Sequence, residues 1–131
     1  MNKVVALKII IAMTNYKELD VWILSVETVE LIYDLIKTYP GDEKYSLIDQ
    51  TRRAAISITS NIAEGLGRNH KKDTIQFLHI TRGSAYEVDT LLCIAKRVNI
   101  LDDLTYNKAY EKIKRNIQVI NGFINYLERS S

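Results

Sequence analysis

Apolar residues recur every three or four positions in four segments of the chain, the spacing that places side chains on one face of an α-helix. The pattern predicts helices from about Asp20 to Tyr39, Asp42 to Leu66, His70 to Val98 and Asp102 to Leu127. The predicted core rows are Val21, Leu24, Thr28, Ile32, Leu35 and Tyr39; Ile48, Thr51, Ala55, Ile58, Ile62 and Leu66; Phe77, Ile80, Ser84, Val88, Leu91 and Ala95, with Leu78, Ala85, Leu92 and Cys93 beside them; and Ala109, Ile113, Ile117, Ile120, Ile124 and Leu127. Four such helices joined by short connections predict an all-α protein, an antiparallel up-down-up-down four-helix bundle.

The predicted helices begin at residues that commonly cap a helix. Asp20, Asp42 and Asp102 would each accept hydrogen bonds from the first amide groups of a helix. Either Asn69 or His70 would cap the third helix. These four starting points agree with the apolar rows.

Glycine and proline mark the breaks between helices. Pro40–Gly41 ends the first helix, and Gly65 with Gly67 ends the second. Gly83 falls instead in the middle of the third helix, where glycine costs about 1 kcal/mol relative to alanine. Gly83 therefore predicts a close contact between helices. In an up-down bundle, the connection 68–72 lies at the same end as both termini.

One polar stripe crosses the otherwise apolar or small surface of the second helix. Its members are spaced so that they stack on one face: Gln50, Arg53, Ser57, Asn61 and Glu64. A solvated helix face is usually rich in Lys and Glu, whereas this face mixes amide, guanidinium, hydroxyl and carboxylate groups. We therefore expect the stripe to meet partners, with this helix covered first by its own bundle and then by sister copies.

Length and composition are those of one globular domain. The chain has 131 residues, of which 47% are apolar and 26% charged. Eight tyrosines against two phenylalanines and one tryptophan favour protein interfaces. The single Cys93 excludes an internal disulfide framework and suits a reducing, cytoplasmic compartment. Because the formal charge is only +2, binding to nucleic acid would need a local basic patch.

The amino-terminal stretch 3–13, K-V-V-A-L-K-I-I-I-A-M, differs from the rest of the chain. Its eleven residues are fewer than the roughly 20 that a membrane-spanning helix needs, and Lys8 interrupts them. It also lacks the small-x-small site of a signal peptide. The predicted organisation is an amino-terminal extension over residues 1–15 and a four-helix bundle domain over residues 16–131, with no membrane association.

The residue patterns of common catalytic and metal sites are not present. Neither His70 nor His79 follows a glutamate by three residues, as di-iron bundles require. Arg68 and His70 straddle a predicted helix start, so they do not match the arginine–histidine pair of four-helix nucleases. The Gly65–Arg68 stretch lacks the strand and the Gly-Lys-Ser/Thr ending of a phosphate loop. We therefore expect no catalytic residue, no metal and no cofactor, and hence no enzyme.

The most basic stretch is the connection that contains Arg68, His70, Lys71 and Lys72. These residues would either keep an exposed turn solvated or attract anions together with the amino terminus of the third helix. One copy would bind weakly, whereas several copies around a symmetric oligomer would form a basic ring. Both interpretations stay open.

A second polar set is assigned to an oligomer interface or a structural network. It consists of the stripe together with the arginines and carboxylates of the second and third helices: Gln50, Arg52, Arg53, Ser57, Asn61, Glu64, Arg82, Gly83 and Glu87. Pairing of Arg82 or Arg53 with Glu64 or Glu87 would fix the arrangement of helices. A less favoured alternative is an active site between subunits built on Glu64, Arg82 and Glu87.

Three segments resemble a known family. They are Tyr16-Lys-Glu-Leu-Asp-Val-Trp22, Leu47-x-x-Gln50-x-Arg52-Arg53-Ala-Ala-x-Ser57-Ile-x-x-Asn61-Ile-Ala-Glu64-Gly65 and Phe77…Arg82-Gly83-Ser84-x-x-Glu87. They resemble the bacterial four-helix bundle family, also called the large-subunit ribosomal RNA intervening-sequence protein family. Thr59 and His70 stand where that family frequently has proline and serine, respectively.

The resemblance implies a left-handed up-down bundle that assembles as a homopentamer. Family members are encoded within insertions in ribosomal RNA genes and have no well-defined function. Their better-understood relatives are accessory proteins of diversity-generating retroelements, which bind a reverse transcriptase and nucleic acid. The leading hypothesis is therefore a non-enzymatic oligomeric bundle that binds RNA or an RNA-handling, reverse transcriptase-like protein. The alternative is a pure protein–protein scaffold.

Overall fold

The computed structural model describes residues 15–130, except for the side chain of Lys44, and they form four long helices. These are α1 (Asp20–Ile36), α2 (Asp49–Leu66), α3 (Lys71–Arg97) and α4 (Asp103–Arg129). The described residues contain no strand. The predicted all-α four-helix bundle is confirmed. The predicted amino-terminal extension lies outside the described residues, apart from Asn15.

The core is built from the rows that the apolar spacing predicts. In α1, α2 and α4 nearly every predicted core residue is buried, and Ile32, Ile58, Ile62 and Ile120 have no exposed surface. Such complete burial of aliphatic side chains is the main favourable contribution to folding. The periodicity of three helices was therefore sufficient to identify their buried faces.

The predicted core row of α3 is partly wrong. Ile80 is 44% exposed, and Phe77 and Ser84 are only half-buried. Except for the half-buried Cys93, the other predicted core residues of α3 are buried: Leu78, Ala85, Val88, Leu91, Leu92 and Ala95. The face that points into the bundle also contains Thr74 and Thr81, which the apolar spacing did not identify. These two threonines tolerate burial because their hydroxyl groups bond to α2.

Helices α2 and α3 approach each other closely where α2 carries small residues. The Thr74 hydroxyl donates to the carbonyl oxygen of Gly65 at 2.8 Å, and the Thr81 hydroxyl donates to that of Ile58 at 3.3 Å. A Cβ atom on Gly65 would stand 2.8 Å from Cβ of Phe77. Gly65 is therefore required for the helix contact and is not a helix terminator.

The start of α4 agrees with prediction, and the start of α1 differs by one residue. The Asp102 side chain accepts a hydrogen bond of 2.7 Å from the Thr105 amide, and this interaction lowers the pKa of the Asp102 carboxyl group. Asp20 is itself the first residue of α1, with Leu19 at the cap position. His70 occupies the cap position of α3, but its side chain accepts no hydrogen bond from the helix.

The junction between α1 and α2 was predicted incorrectly. The amides of Thr38 and Tyr39 bond to carbonyls three residues earlier, so α1 ends at Ile36 in a tighter turn. Asp42 does not cap a helix, because Gly41–Glu43 forms a short 3₁₀ turn and Lys44–Ile48 a π-helical turn before α2. These turns belong to the connection between α1 and α2, so the second helix begins at Asp49 and not at Asp42.

The close helix contact predicted at Gly83 is not made by the described residues of the chain itself. A Cβ atom at Gly83 would meet no atom within 4 Å, and the residue is exposed in the middle of α3. Any close approach at Gly83 would have to come from outside residues 15–130.

The basic connection between α2 and α3 lies beside the carboxyl-terminal end of α4, as the up-down topology predicts. Lys71 donates through Nζ to the backbone carbonyl of Ser130 at 2.6 Å.

A buried side-chain hydrogen bond joins α4 to α1. The Asn116 amide donates to the Thr28 hydroxyl.

Candidate interaction surfaces

The basic connection presents its cations on supported side chains. Arg68, His70 and Lys72 are exposed, whereas Lys71 is half-buried by its bond to Ser130. The Arg68 guanidinium lies 4.8 Å from the centroid of the Phe77 ring, a cation–π contact that orients the side chain. The structure therefore brings the predicted basic residues together at one end of the bundle.

Electrostatically, this end of the bundle favours anions. Arg68, Lys71 and Lys72 stand against one acidic residue of the first turn of α3, Asp73. The bond from Lys71 goes to a carbonyl oxygen, which carries no net charge that would neutralise the ammonium group. Because the amino terminus of α3 faces the same region, backbone amides add to the attraction.

The middle residues of the polar stripe of α2 form hydrogen bonds within the chain, whereas the residues toward its two ends are exposed. The Asn61 amide donates to the Ser57 hydroxyl at 2.8 Å, and the Ser84 hydroxyl of α3 donates to the same oxygen at 2.9 Å. Gln50, Arg53 and Glu64 are exposed. The stripe therefore follows the outer edge of the α2–α3 contact.

An exposed surface with apolar side chains lies on the outside of α3. Ile80, Gly83, Glu87 and Ile94 share one helix face by their spacing, and the two isoleucines are 44% and 42% exposed. We call these four residues the outer face of α3. With Gly83 at its centre, this face would let the backbone of another helix come close.

The arginines have partners other than the predicted carboxylates. Arg82 donates to Oδ1 of Asn121 at 2.9 Å and lies 2.7 Å from Nδ1 of His79, instead of pairing with Glu64 or Glu87. The Arg82 side chain thus links α3 to α4.

Arg52 turns away from the stripe, as the helical spacing predicts. It forms an ion pair of 3.1 Å with Asp49, and its guanidinium lies 5.7 Å from the centroid of the Tyr33 ring of α1. Arg52 therefore supports the contact between α1 and α2 and is not part of the α3 side of the bundle.

A cluster around Tyr106 was not anticipated as a unit. The Tyr106 hydroxyl donates to Oδ1 of Asp89 at 2.7 Å and accepts from Sγ of Cys93 at 3.0 Å, while Nζ of Lys96 lies 4.9 Å from the ring centroid. Burial raises the pKa of the Tyr106 hydroxyl, and the bonds to Cys93 and Asp89 raise it further. The i, i+4, i+7 spacing of Asp89, Cys93 and Lys96 was the signal available in the sequence. Their contacts give the cluster a packing role between α3 and α4.

Tyr39, which follows α1 at the end of the bundle away from the basic connection, allows a test of packing. Its hydroxyl is buried and has no hydrogen-bond partner among the described residues, and burial raises its pKa to about 12. We expect Tyr39→Phe to increase the free energy of unfolding by about 1 kcal/mol, because the unpaired hydroxyl is removed. In the unfolded chain the pKa is about 10, so the wild type loses stability as the pH rises from about 10 to 12, whereas the variant lacks this loss.

Urea unfolding at pH 7 and pH 11 measures both effects of Tyr39→Phe. The control is Tyr86→Phe, because Tyr86 is 53% exposed. Equal changes for the two variants would show that the Tyr39 hydroxyl carries no burial penalty.

The described residues form neither a cluster of metal ligands nor a membrane-spanning helix. Among residues 15–130, no three side chains of His, Cys, Asp or Glu are placed to hold a metal ion together. In the same range, no helix combines the length and apolar character needed to cross a bilayer.

Comparison with known proteins identifies the family of the chain and solved structures with a similar fold. The model of the family described as 23S rRNA-intervening sequence protein matches residues 17–122. A 1.70 Å crystal structure of a protein of unknown function, from the S23 ribosomal protein family of Bacteroides thetaiotaomicron, has 23% sequence identity and a TM-score of 0.74. The similarity covers 79% of this chain and 97% of that one, and it shows a shared fold. No curated protein matches the chain.

Proposed function

The chain belongs to the 23S rRNA-intervening sequence protein family, and we propose that it is a non-enzymatic, oligomeric helical-bundle protein that binds RNA through its basic connection. The observation that carries this proposal is the placement of Arg68, His70, Lys71 and Lys72 together at one end of the bundle. RNA phosphates bind such clusters of cations and release counterions.

The supports of the basic connection favour binding. Because Lys71 is bonded to Ser130 and Arg68 is stacked on Phe77, less conformational freedom is lost when a phosphate binds there. The exposed Lys72 adds a further cation at the amino terminus of α3.

Assembly supplies the strength that one copy lacks. A single connection offers few phosphate contacts, whereas a symmetric ring places one connection per subunit around the axis and multiplies their number. We propose a cytoplasmic homopentamer, following the family resemblance. The outer face of α3, with exposed Ile80 and Ile94 around Gly83, is the surface proposed for contact between subunits.

The double variant Arg68→Ala/Lys72→Ala tests RNA binding. We expect its affinity for a structured RNA to fall at least tenfold at low salt, because each copy loses two cations. The slope of log K against log salt should become shallower by about one for each lost phosphate contact. Fluorescence anisotropy over a salt series measures both quantities.

A control variant that also loses two positive charges distinguishes RNA binding at the basic connection from a general effect of the protein's charge on affinity. Lys108→Ala/Lys114→Ala removes two exposed cations from α4, away from the connection, and should leave most of the affinity. If both double variants lose equal affinity, the binding is non-specific. Lys71 is left intact because it holds Ser130 in place.

The second candidate function is a protein–protein scaffold without nucleic-acid binding. It is favoured by the outer face of α3, where exposed isoleucines flank a glycine whose added Cβ would meet no other helix of the described residues. Light scattering decides whether copies associate at all. A stable oligomer that binds no RNA would support the scaffold, whereas a monomer would remove the basic ring and the proposed subunit contact together.

A further inference from the structure

An open apolar groove runs between the start of α1 and the carboxyl-terminal half of α4. It has a volume of about 310 Å³. Its lining is apolar except for one carboxylate and consists of Leu19, Asp20, Val21, Val119, Phe123 and Tyr126. Leu19, Val119 and Phe123 are only partly buried, and Tyr126 is 38% exposed. Apolar surface in this groove is therefore available for further burial.

The segment 3–13 joins the described chain next to this groove. Residues 1–14 lie outside the described residues, and the family match begins only at residue 17. The described chain starts at Asn15, four residues before the groove residue Leu19. Residues 3–13 are therefore an apolar addition to the family domain, connected at the mouth of an apolar groove.

We propose that residues 3–13 dock in the α1–α4 groove of their own chain. Distance permits this placement: the groove residues Val119 and Tyr126 are about 10 Å apart along α4 at 1.5 Å per residue, and eleven residues exceed this length in either helical or extended form. Burial of the aliphatic side chains of the segment against Val119 and Phe123 removes apolar surface from water on both sides.

Charge complementarity favours the same placement. The charged residues of the segment are Lys3 and Lys8, and residues 1–14 contain no acidic side chain. Asp20 supplies the one carboxylate in the groove lining. A lysine of the docked segment can therefore pair with Asp20 at the edge of the groove.

A second apolar groove serves the segment less well. It lies between α1 and α2, where Val26, Val29, Ile56 and Ala63 line it. Its α1 residues begin two turns beyond the start of the helix, so it is more distant from Asn15. The α1–α4 groove starts at the point where the segment enters the fold.

A double-mutant cycle in the full-length chain tests the contact. One change replaces Ile9, Ile10 and Ile11 of the segment by serine, and the other is Phe123→Ala in the groove. If the segment is docked, Phe123→Ala lowers the urea midpoint of the wild-type chain by more than it lowers that of the triple-serine variant, because the lost partners are shared. Equal shifts in both backgrounds would overturn the proposal.

The matched control for the cycle is Leu104→Ala. Leu104 is an apolar residue of the same helix that is 66% exposed and lies near the opposite end of α4. Its effect should add to that of the triple-serine change. Coupling as large as that of Phe123→Ala would show a general effect of the segment on stability and would also overturn the proposal.

A disulfide trap distinguishes docking in the same chain from docking in a second copy. In a Cys93→Ser background, cysteine is introduced at position 9, 10 or 11 in turn together with Tyr126→Cys, and the protein is oxidised. An intrachain disulfide, identified by a non-reducing gel and peptide mass, is expected for at least one position. Disulfide-linked dimers would assign the groove to a second copy and overturn the proposal.

The control trap replaces Leu104 instead of Tyr126. Intrachain disulfides from residues 9–11 to position 104 in equal yield, or no intrachain disulfide to position 126 from any of the three positions, would also overturn the proposal. Neither experiment depends on RNA binding, so the docking of the segment stands or falls separately from the proposed function.

Discussion

Asn116→Asp is expected to lower the free energy of unfolding at pH 7 by about 3–5 kcal/mol, the range for an uncompensated buried charge. Asn116 is 1% exposed, and its amide donates to the Thr28 hydroxyl and to the Lys112 carbonyl, the latter at 3.0 Å. A carboxylate cannot donate to that carbonyl, and the lysine one turn earlier on α4, Lys112, already pairs with Glu27 at 2.8 Å. The new charge would be buried without a cation.

The pH dependence of Asn116→Asp identifies the cause of the loss. Burial raises the pKa of the introduced carboxyl group above its unfolded value of about 3.9. The unfolded chain then releases the proton first, so the penalty appears as the pH rises above about 4 and is absent below it. Urea unfolding at pH 3.5 and pH 7 measures the difference.

The control for the buried charge is Asn116→Leu. Leucine has the same branching but larger end groups, and Thr28 keeps its own bond to the Leu24 carbonyl at 3.0 Å, so the loss should be about 1–3 kcal/mol, the range for overpacking, and the same at pH 3.5 and pH 7. Equal losses for the two variants at pH 7 would show that shape, and not charge, makes asparagine necessary at this position.

Gly65→Ala is expected to lower the free energy of unfolding by about 1–3 kcal/mol, the range for an overpacked contact, although alanine is the better helix former. The new Cβ would lie 2.8 Å from Cβ of Phe77 and 3.3 Å from the carbonyl oxygen of Thr74. Both atoms are close to the backbone of α3, so the two helices must separate. Thermal and urea unfolding measure the loss.

Gly83→Ala is the matched control, because both glycines lie within long helices. At Gly83 no atom is within 4 Å of the added Cβ, so alanine should stabilise an isolated subunit by up to about 1 kcal/mol through helix propensity. If both alanine variants were stabilised, the helix contact at Gly65 would be looser than the structure shows.

The sequence predicted the core of the bundle but not the role of the two glycines. The spacing of apolar residues within each helix, which places Ile32, Ile58 and Ile120 in the core, was enough to predict the bundle, because burial of a helix face requires regular spacing. It could not predict which glycine lies against a neighbouring helix. That depends on how the helices are rotated against each other, which spacing within one helix does not determine.

Two other differences have local causes. Asp42 follows a proline–glycine pair and was therefore predicted to cap the second helix. The chain instead forms 3₁₀ and π turns before α2, after the Tyr39 side chain has been buried at the end of α1. Within the polar stripe of α2, the Ser57 hydroxyl accepts hydrogen bonds from Asn61 of the same helix and from Ser84 of α3. The type of these side chains indicated a partner, but it could not distinguish a helix of the same chain from one of another copy.

The basic connection was the part of the candidate surfaces that the sequence predicted best. Topology alone placed Arg68 and Lys72 beside the carboxyl terminus of α4, and the bond from Lys71 to Ser130 agrees with that placement. The stacking of Arg68 on Phe77 was beyond prediction, because it depends on the angle at which α2 turns into α3.

The hydroxyl bonds from Thr74, Thr81 and Ser84 to α2 have a consequence for recognition. A slide of α3 along α2 by a single residue would break all three at once, so the pair has one permitted register. The polar stripe of α2 and the outer face of α3 therefore keep a fixed position relative to each other. A molecule that binds across both helices meets one surface geometry.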